Sequence, residues 1–385
     1  MKTIHSFWKL AIFIAAVSFT SCSYDEAAEL ATGADDSPGN FDNRAMLAFT
    51  GHVYIEGNEL GLNLIHIYQH NQQGQLTYVG NVPSGGAGNG ISLGSQGAVI
   101  LSPDKQWLYA VNAGSNSVSA FTVGNDGFLT LISTVNSGGQ TPVSITIHDN
   151  WMYAVHLTNG TINGFMIGED GSLLSMPESE QKLSDDVAGP SKIAFSPNGG
   201  FIYVTEKKTD KISIFPVDET GHAGIGTVIN AIGSTPSGFD FARNNYIIVA
   251  NGAYGTTGES SVTSYNGLNS GNPADVNGNI ANSQTLSGWV EVTQNNRTAF
   301  VSNYGSNTVS IYSIGVGGTI QIAGGQTRTG NGPTDLAVSS HNQNLFVLCP
   351  TAGTIEEYDR TPLGGLVHIG HIDGVPGSAA GMANW

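Results

Sequence analysis

The residues with the means to do chemistry include one cation and several acids within a limited part of the chain. Lys192 in GPSK, Glu206 in YVTE, Asp240 in GFD and Glu291 in WVE set one ammonium against three carboxylates, and Asp335 in PTD adds a fourth. Such a set can position a substrate, hold a cation, or divide acid and base roles between neighbouring groups. The plainer alternative is that these groups line a water-filled channel and bond to backbone. Asn112, His156, Asn251, Asn303, Tyr254, Trp289 and Tyr304 are further candidate binding residues for a small molecule or a glycan. Other patterns fail on context. Asp275, Asn277 and Asn279 alternate as in a calcium loop, but Ile280 stands where that loop needs glycine. Gly90-Ile91-Ser92-Leu93-Gly94 matches a nucleophile elbow, which requires a strand, turn and helix. No metal and no cofactor is therefore expected.

The elements that must position these residues are repeated. NAGSNSVSAF, Asn112 to Phe121, returns as NYGSNTVSIY, Asn303 to Tyr312. Aligned on the YAVN-like end of its second strand, each unit contributes one residue to a ring: Asn58, Asn112, His156, Glu206, Asn251, Asn303 and Cys349. The next strand starts six positions on in five of the units, and eleven positions on after Asn251. Units of about fifty residues with four short alternating strands each predict an all-β fold, a seven-bladed β-propeller of four-stranded blades spanning residues 44–385. This YVTN-like repeat places the ring, together with Lys192, Trp289 and Asp335 near the starts of first strands, around one mouth of a central channel. Asp240 and Glu291 lie two positions further in. Two long segments, 83–97 and 251–262, are placed to fold over that mouth. Ring closure is expected from packing of Arg44 to Thr50 against the last blade, helped by the tail GVPGSAAGMANW.

The chain begins as a targeting segment. Lys2 and Lys9 precede an apolar run, Leu10 to Val17, too short to span a bilayer, and Phe19-Thr20-Ser21-Cys22 resembles a bacterial lipoprotein cleavage box. Residues 1–21 are read as a signal peptide, Cys22 as the lipidation site and residues 22–43 as a flexible tether. The mature protein is expected in the cell envelope as an outer-membrane lipoprotein, periplasmic or surface-exposed, touching membrane only through its lipid. Cys349 is then left without a disulfide partner. The formal charge of −17 becomes −19 once two lysines leave with the leader. Nucleic acid is disfavoured as a partner; a small-molecule or glycan ligand, or a protein partner, is compatible.

The stretches LSPDKQWLYAVNAGSNSVSAF, GPSKIAFSPNGGFIYVTEKKTDKISIF and GVPGSAAGM resemble the lactonase-like seven-bladed propellers, which include propeller-type 6-phosphogluconolactonases and fungal carboxymuconate-cyclising enzymes. The resemblance implies Glu206 as a mouth carboxylate. It also implies arginines and histidines that this chain lacks: Ser191-Lys192 replaces an Arg-His pair, Tyr304 an arginine, and Val143 a histidine. An anionic sugar phosphate needs guanidinium or ammonium contacts, and Lys192 is the main one expected here. Two readings follow. One is a binding propeller whose ligand sits at the mouth. The other is a carboxylic-ester hydrolase or cycloisomerase of altered specificity, with Glu206 as base and Lys192 or Asn303 stabilising an oxyanion. A protein-interaction propeller is a further alternative.

Overall fold

Short runs such as WLYAVN and FIYVTE are nearly continuous in apolar residues and rich in β-branched and aromatic ones, as suits strands buried on both faces. In the computed structural model, which describes residues 49–243, 246–362 and 364–385, these runs are the second strands of seven antiparallel sheets. The signal peptide, tether and Cys22 lie outside the described residues. Blade two shows the pattern. Val99–Leu101 faces the central channel, and Trp107–Asn112, Ser117–Val123 and Leu129–Asn136 follow outward. In blades three and six the outermost strand is broken into two short pieces.

No blade can bury both faces alone, so the core lies between blades. Tyr54, Ile65 and Ile67 of blade one pack with Val99, Leu108, Ala110 and Phe121 of blade two in one cluster. Polar staples fix the stacking. The hydroxyl of Tyr54 donates to Gly127 O (2.7 Å), that of Tyr109 to Gly171 O (3.0 Å), that of Tyr153 to Gly221 O (2.8 Å) and that of Tyr203 to Leu268 O (2.7 Å). Each bond runs from a second strand to the outer turn of the next blade, which explains the recurring tyrosine. Gly171 and Gly221 sit at φ of 78° and 81°, and a Cβ there would lie 2.3 and 2.2 Å from the rings of Trp107 and Trp151. Only glycine meets both demands.

The innermost strands have one unpaired edge toward the channel. Their side chains cap the next blade. Thr146 Oγ1 accepts from Phe195 N (3.0 Å), Asp240 from Val292 N (2.8 Å), Glu291 from Val338 N (3.3 Å) and Asp335 from Met382 N (3.1 Å), while Lys192 Nζ donates to Phe239 O.

Met382 belongs to Gly381–Asn384, which corrects the expectation for ring closure. This last strand pairs antiparallel with Phe49–Glu56, Met382 opposite Ile55, and supplies the innermost strand of blade one. The tail closes the ring by completing the first sheet, and Thr50 lies inside the strand it pairs with.

Candidate functional site

The ring residues point into their blades. Asn112, His156, Glu206, Asn251, Asn303 and Cys349 are completely buried. Asn112 Nδ2 donates to Ser117 Oγ (3.2 Å) and Ser119 Oγ (2.8 Å), and Asn303 Nδ2 to Thr308 Oγ1 (3.0 Å) and Ser310 Oγ (2.9 Å). These pairs are five and seven residues apart, so the echo NAGSNSVSAF/NYGSNTVSIY records a hydrogen-bonded corner between second and third strands. Asn251, before the longer loop, reaches Thr263 Oγ1 instead (2.9 Å). His156 is held near Thr161 O (3.1 Å), and burial pushes its imidazole down to about 4. It is a neutral core group and not a solvated channel residue. In blade one the tyrosine staple aligns Gly57 with Asn112, so Asn58 lies one position past the ring; it anchors segment 83–97 through Asn89 Oδ1 (2.7 Å) and Ile91 O (2.6 Å).

Glu206 occupies the same corner in blade four. Its carboxylate accepts from Ser184 N (3.1 Å), Thr209 Oγ1 (2.6 Å), Ser213 Oγ (2.5 Å) and Ser184 Oγ. With no surface exposed and both oxygens engaged, it ties the strap before blade four to the body of the blade. The mouth-facing carboxylate expected from the sequence is therefore spent on structure.

Segment 83–97 crosses the mouth. Trp289 Nε1 donates to Ser95 O (2.7 Å), Ser144 Oγ to Gln96 O (2.6 Å), and Lys207 Nζ to Gly94 O. Gln96 Nε2 reaches Val290 O (2.7 Å) and Gln96 N reaches Ser191 O (2.9 Å). Blades three, four and six thus hold one strap, which divides the sequence-predicted residues in two.

Below it lies a cavity of about 310 Å³ lined by Gln96, Lys192, Glu291, Asp335 and Met382 among others. Lys192 stands 5.3 Å over the ring of Phe239 and neutralises part of the charge of Asp240. Burial raises the pKa of all three channel carboxyls: Asp240 despite Lys192, Glu291 well above its usual range with Asp240 adding to the effect, and Asp335 to about 6.

Above the strap lies a pocket of about 200 Å³ against blades four to six. Its walls include Trp289, Tyr254, Tyr304, Lys207, Ser191, Ser237 and Ser287. Trp289 is buried, whereas Tyr254 and Tyr304 are exposed. Its described lining residues include no carboxylate, imidazole or guanidinium. Lys207 is the pocket residue that sequence reasoning passed over. Burial and neighbouring Lys208 push its ammonium down to about 8. The signal was present: strand alternation turns the residue after each ring position toward the mouth, and those residues include Lys207, Gly252 and Tyr304.

Two outcomes test these placements. Glu206→Gln should lower stability by about 1–3 kcal/mol in denaturant unfolding, since an amide cannot accept all four bonds, without weakening ligand binding at the mouth; an unchanged midpoint would refute the structural role. A carboxyl with a raised folded pKa holds its proton more tightly when folded. Its stabilisation is full below the unfolded value near 4 and is lost as pH climbs through the folded value. For Asp335 that window ends near 6, and for Glu291 it extends higher. The thermal midpoint should fall from pH 5 to pH 8, and Glu291→Gln, which keeps an acceptor for Val338 N, should flatten that fall. A slope parallel to wild type would sink the assignment.

The comparisons agree with this architecture. The family described as "Lactonase, 7-bladed beta-propeller" matches residues 49–188, 176–257 and 261–373. Among solved structures, a Bacteroides fragilis protein assigned as a 6-phosphogluconolactonase superposes with a TM-score of 0.72 at 20% identity, covering 91% of this chain and 100% of its own. A Bacteroides uniformis protein of the same assignment gives 0.72 at 19% identity, with 87% and 99% covered. The periplasmic gluconolactonase of Pseudomonas aeruginosa gives 0.69 at 14% identity, with 87% and 98% covered. No curated protein matches the chain in sequence. With all seven blades in place and the family matched across them, the chain belongs to the lactonase seven-bladed β-propeller family.

Proposed function

We propose that this protein is a lipid-anchored propeller of the cell envelope whose mouth pocket binds a small, uncharged, polyhydroxylated ring such as a sugar lactone or the end of a glycan. The observation that carries the reading is the composition of the pocket above the strap: Trp289, Tyr254 and Tyr304 with a rim of serines and one lysine. Aromatic faces stack on the apolar face of a sugar ring, and hydroxyls serve its edge. A phosphorylated lactone fits poorly, because Lys207 is the one cation among the described lining residues and its proton is weakly held.

Lactone hydrolysis is the second reading, supported by family membership and by Lys207. A lysine with a pKa near 8 is protonated often enough to stabilise an oxyanion, and neutral often enough to take a proton from water. On this reading catalysis falls to Lys207, because Glu206 is buried in its blade and Lys192 lines the separate cavity below the strap.

Calorimetry with gluconolactone, glucose and short glucans is the direct test. At least one should bind, and Trp289→Ala or Tyr254→Ala should weaken it about tenfold, in line with about 1–1.5 kcal/mol for a stacked ring. If no ring compound binds, the ligand assignment fails. Hydrolysis of the same lactone, if present, should rise with pH through about 8 and vanish in Lys207→Met; activity that survives in that variant would remove Lys207 from the chemistry. Palmitate should label the wild-type protein and not Cys22→Ser, and equal labelling would end the anchoring proposal.

A further inference from the structure

We propose that Glu356, His368 and His371, on the outer part of blade seven and away from the mouth, form a binding site for one divalent first-row transition-metal ion of the zinc type. One potential donor atom from each residue lies within 4.8 Å of the other two, and His368 Nε2 is already 2.8 Å from Glu356 Oε2. Donors around tetrahedral zinc stand about 3.3 Å apart for bonds of 2.0–2.1 Å, so closing the set takes a modest rotation of the half-exposed His371 ring.

The backbone builds the arrangement. Glu356 lies on Thr354–Arg360 and both histidines on Leu366–Asp373, the two outermost strands of the blade. In a regular strand, residues three apart face opposite ways. Here the register shifts between Glu357 and Tyr358, so that Glu356 opposes His371 while Tyr358 opposes His368, and both imidazoles fall on the face of Glu356. Bulges re-aim side chains in this manner.

Surrounding groups hold the donors in place. Thr354 Oγ1 donates to Glu356 Oε1 (2.7 Å) and leaves Oε2 directed at the histidines. The ring of His368 rests against Tyr358, with centroids 5.1 Å apart, and stacks toward His371 at an interplanar angle of 17°. Glu357, bonded to Leu76 N (2.8 Å), interacts electrostatically with both histidines, and Asp373 Oδ2 lies 3.8 Å from His371 Nε2. Their negative field favours a cation. Buried Cys349 is near Glu356, but its sulfur does not belong to the set of mutually close donor atoms. Two imidazoles and one carboxylate leave the remaining position to water, a donor set suited to zinc. A Glu356–His368 ion pair alone would not require His371.

The test is zinc titration of chelator-treated protein by calorimetry, with cobalt(II) absorption as a probe of geometry. Wild type should take up one zinc per chain, with a rise in thermal midpoint. His371→Ala should weaken binding at least tenfold, and the double variant His368→Ala/His371→Ala should lose the site and the thermal shift. Both histidines are half-exposed, so these variants should fold, and circular dichroism checks that they do. Equal zinc uptake by wild type and the double variant, or no uptake by wild type, would overturn the proposal.

Discussion

The constraint behind much of this structure is the unpaired edge of the seven innermost strands. A strand that faces a channel exposes backbone groups that must find partners. Water could serve, but here side chains of one blade serve the next: Thr146, Asp240, Glu291 and Asp335 accept N–H groups, and Lys192 supplies a carbonyl with a donor. Asp335 completes the circuit by holding Met382, in the strand that closes the ring. Charged residues that look like catalytic equipment are thereby explained by the geometry of a closed ring of sheets, and the raised pKa values of the channel carboxyls show the electrostatic cost.

The second consequence is where a ligand can go. Segment 83–97 spends its own carbonyls on Trp289, Ser144 and Lys207, and so turns an open channel into a cavity below and a pocket above. The same bonds orient Trp289 and fix Lys207 at the pocket. The aromatic and serine-lined rim over blades four to six lies above the strap, and it is nearly uncharged in a strongly acidic chain.

Much of the fold could be read from residues alone. The NAGSNSVSAF echo marks a corner bond shared by blades two and six, and the tyrosine of VYIE, YAVN, YAVH and YVTE marks a staple made in the first four blades. Less of the site could be read. Trp289, Tyr254 and Tyr304 line one pocket, which no single repeat position announces. Asn112, His156, Glu206, Asn251 and Asn303 mark the right level of the propeller but face inward, because alternation along a strand turns neighbouring residues opposite ways. A one-residue offset separates Glu206, buried and saturated, from Lys207, at the pocket.

What the sequence determined by itself was the blade: its strands, turns and corner bonds join residues within a few positions of one another, and each is repeated often enough to be recognised. What only the tertiary structure decided was the use of each polar group. The strap bond from Gln96 to Val290 spans 194 residues, and the closing strand joins residues near opposite ends of the described chain. Such contacts leave no local period. They arise from the circular stacking of blades, which brings distant segments to one axis and decides which side chains are walled in and which meet solvent.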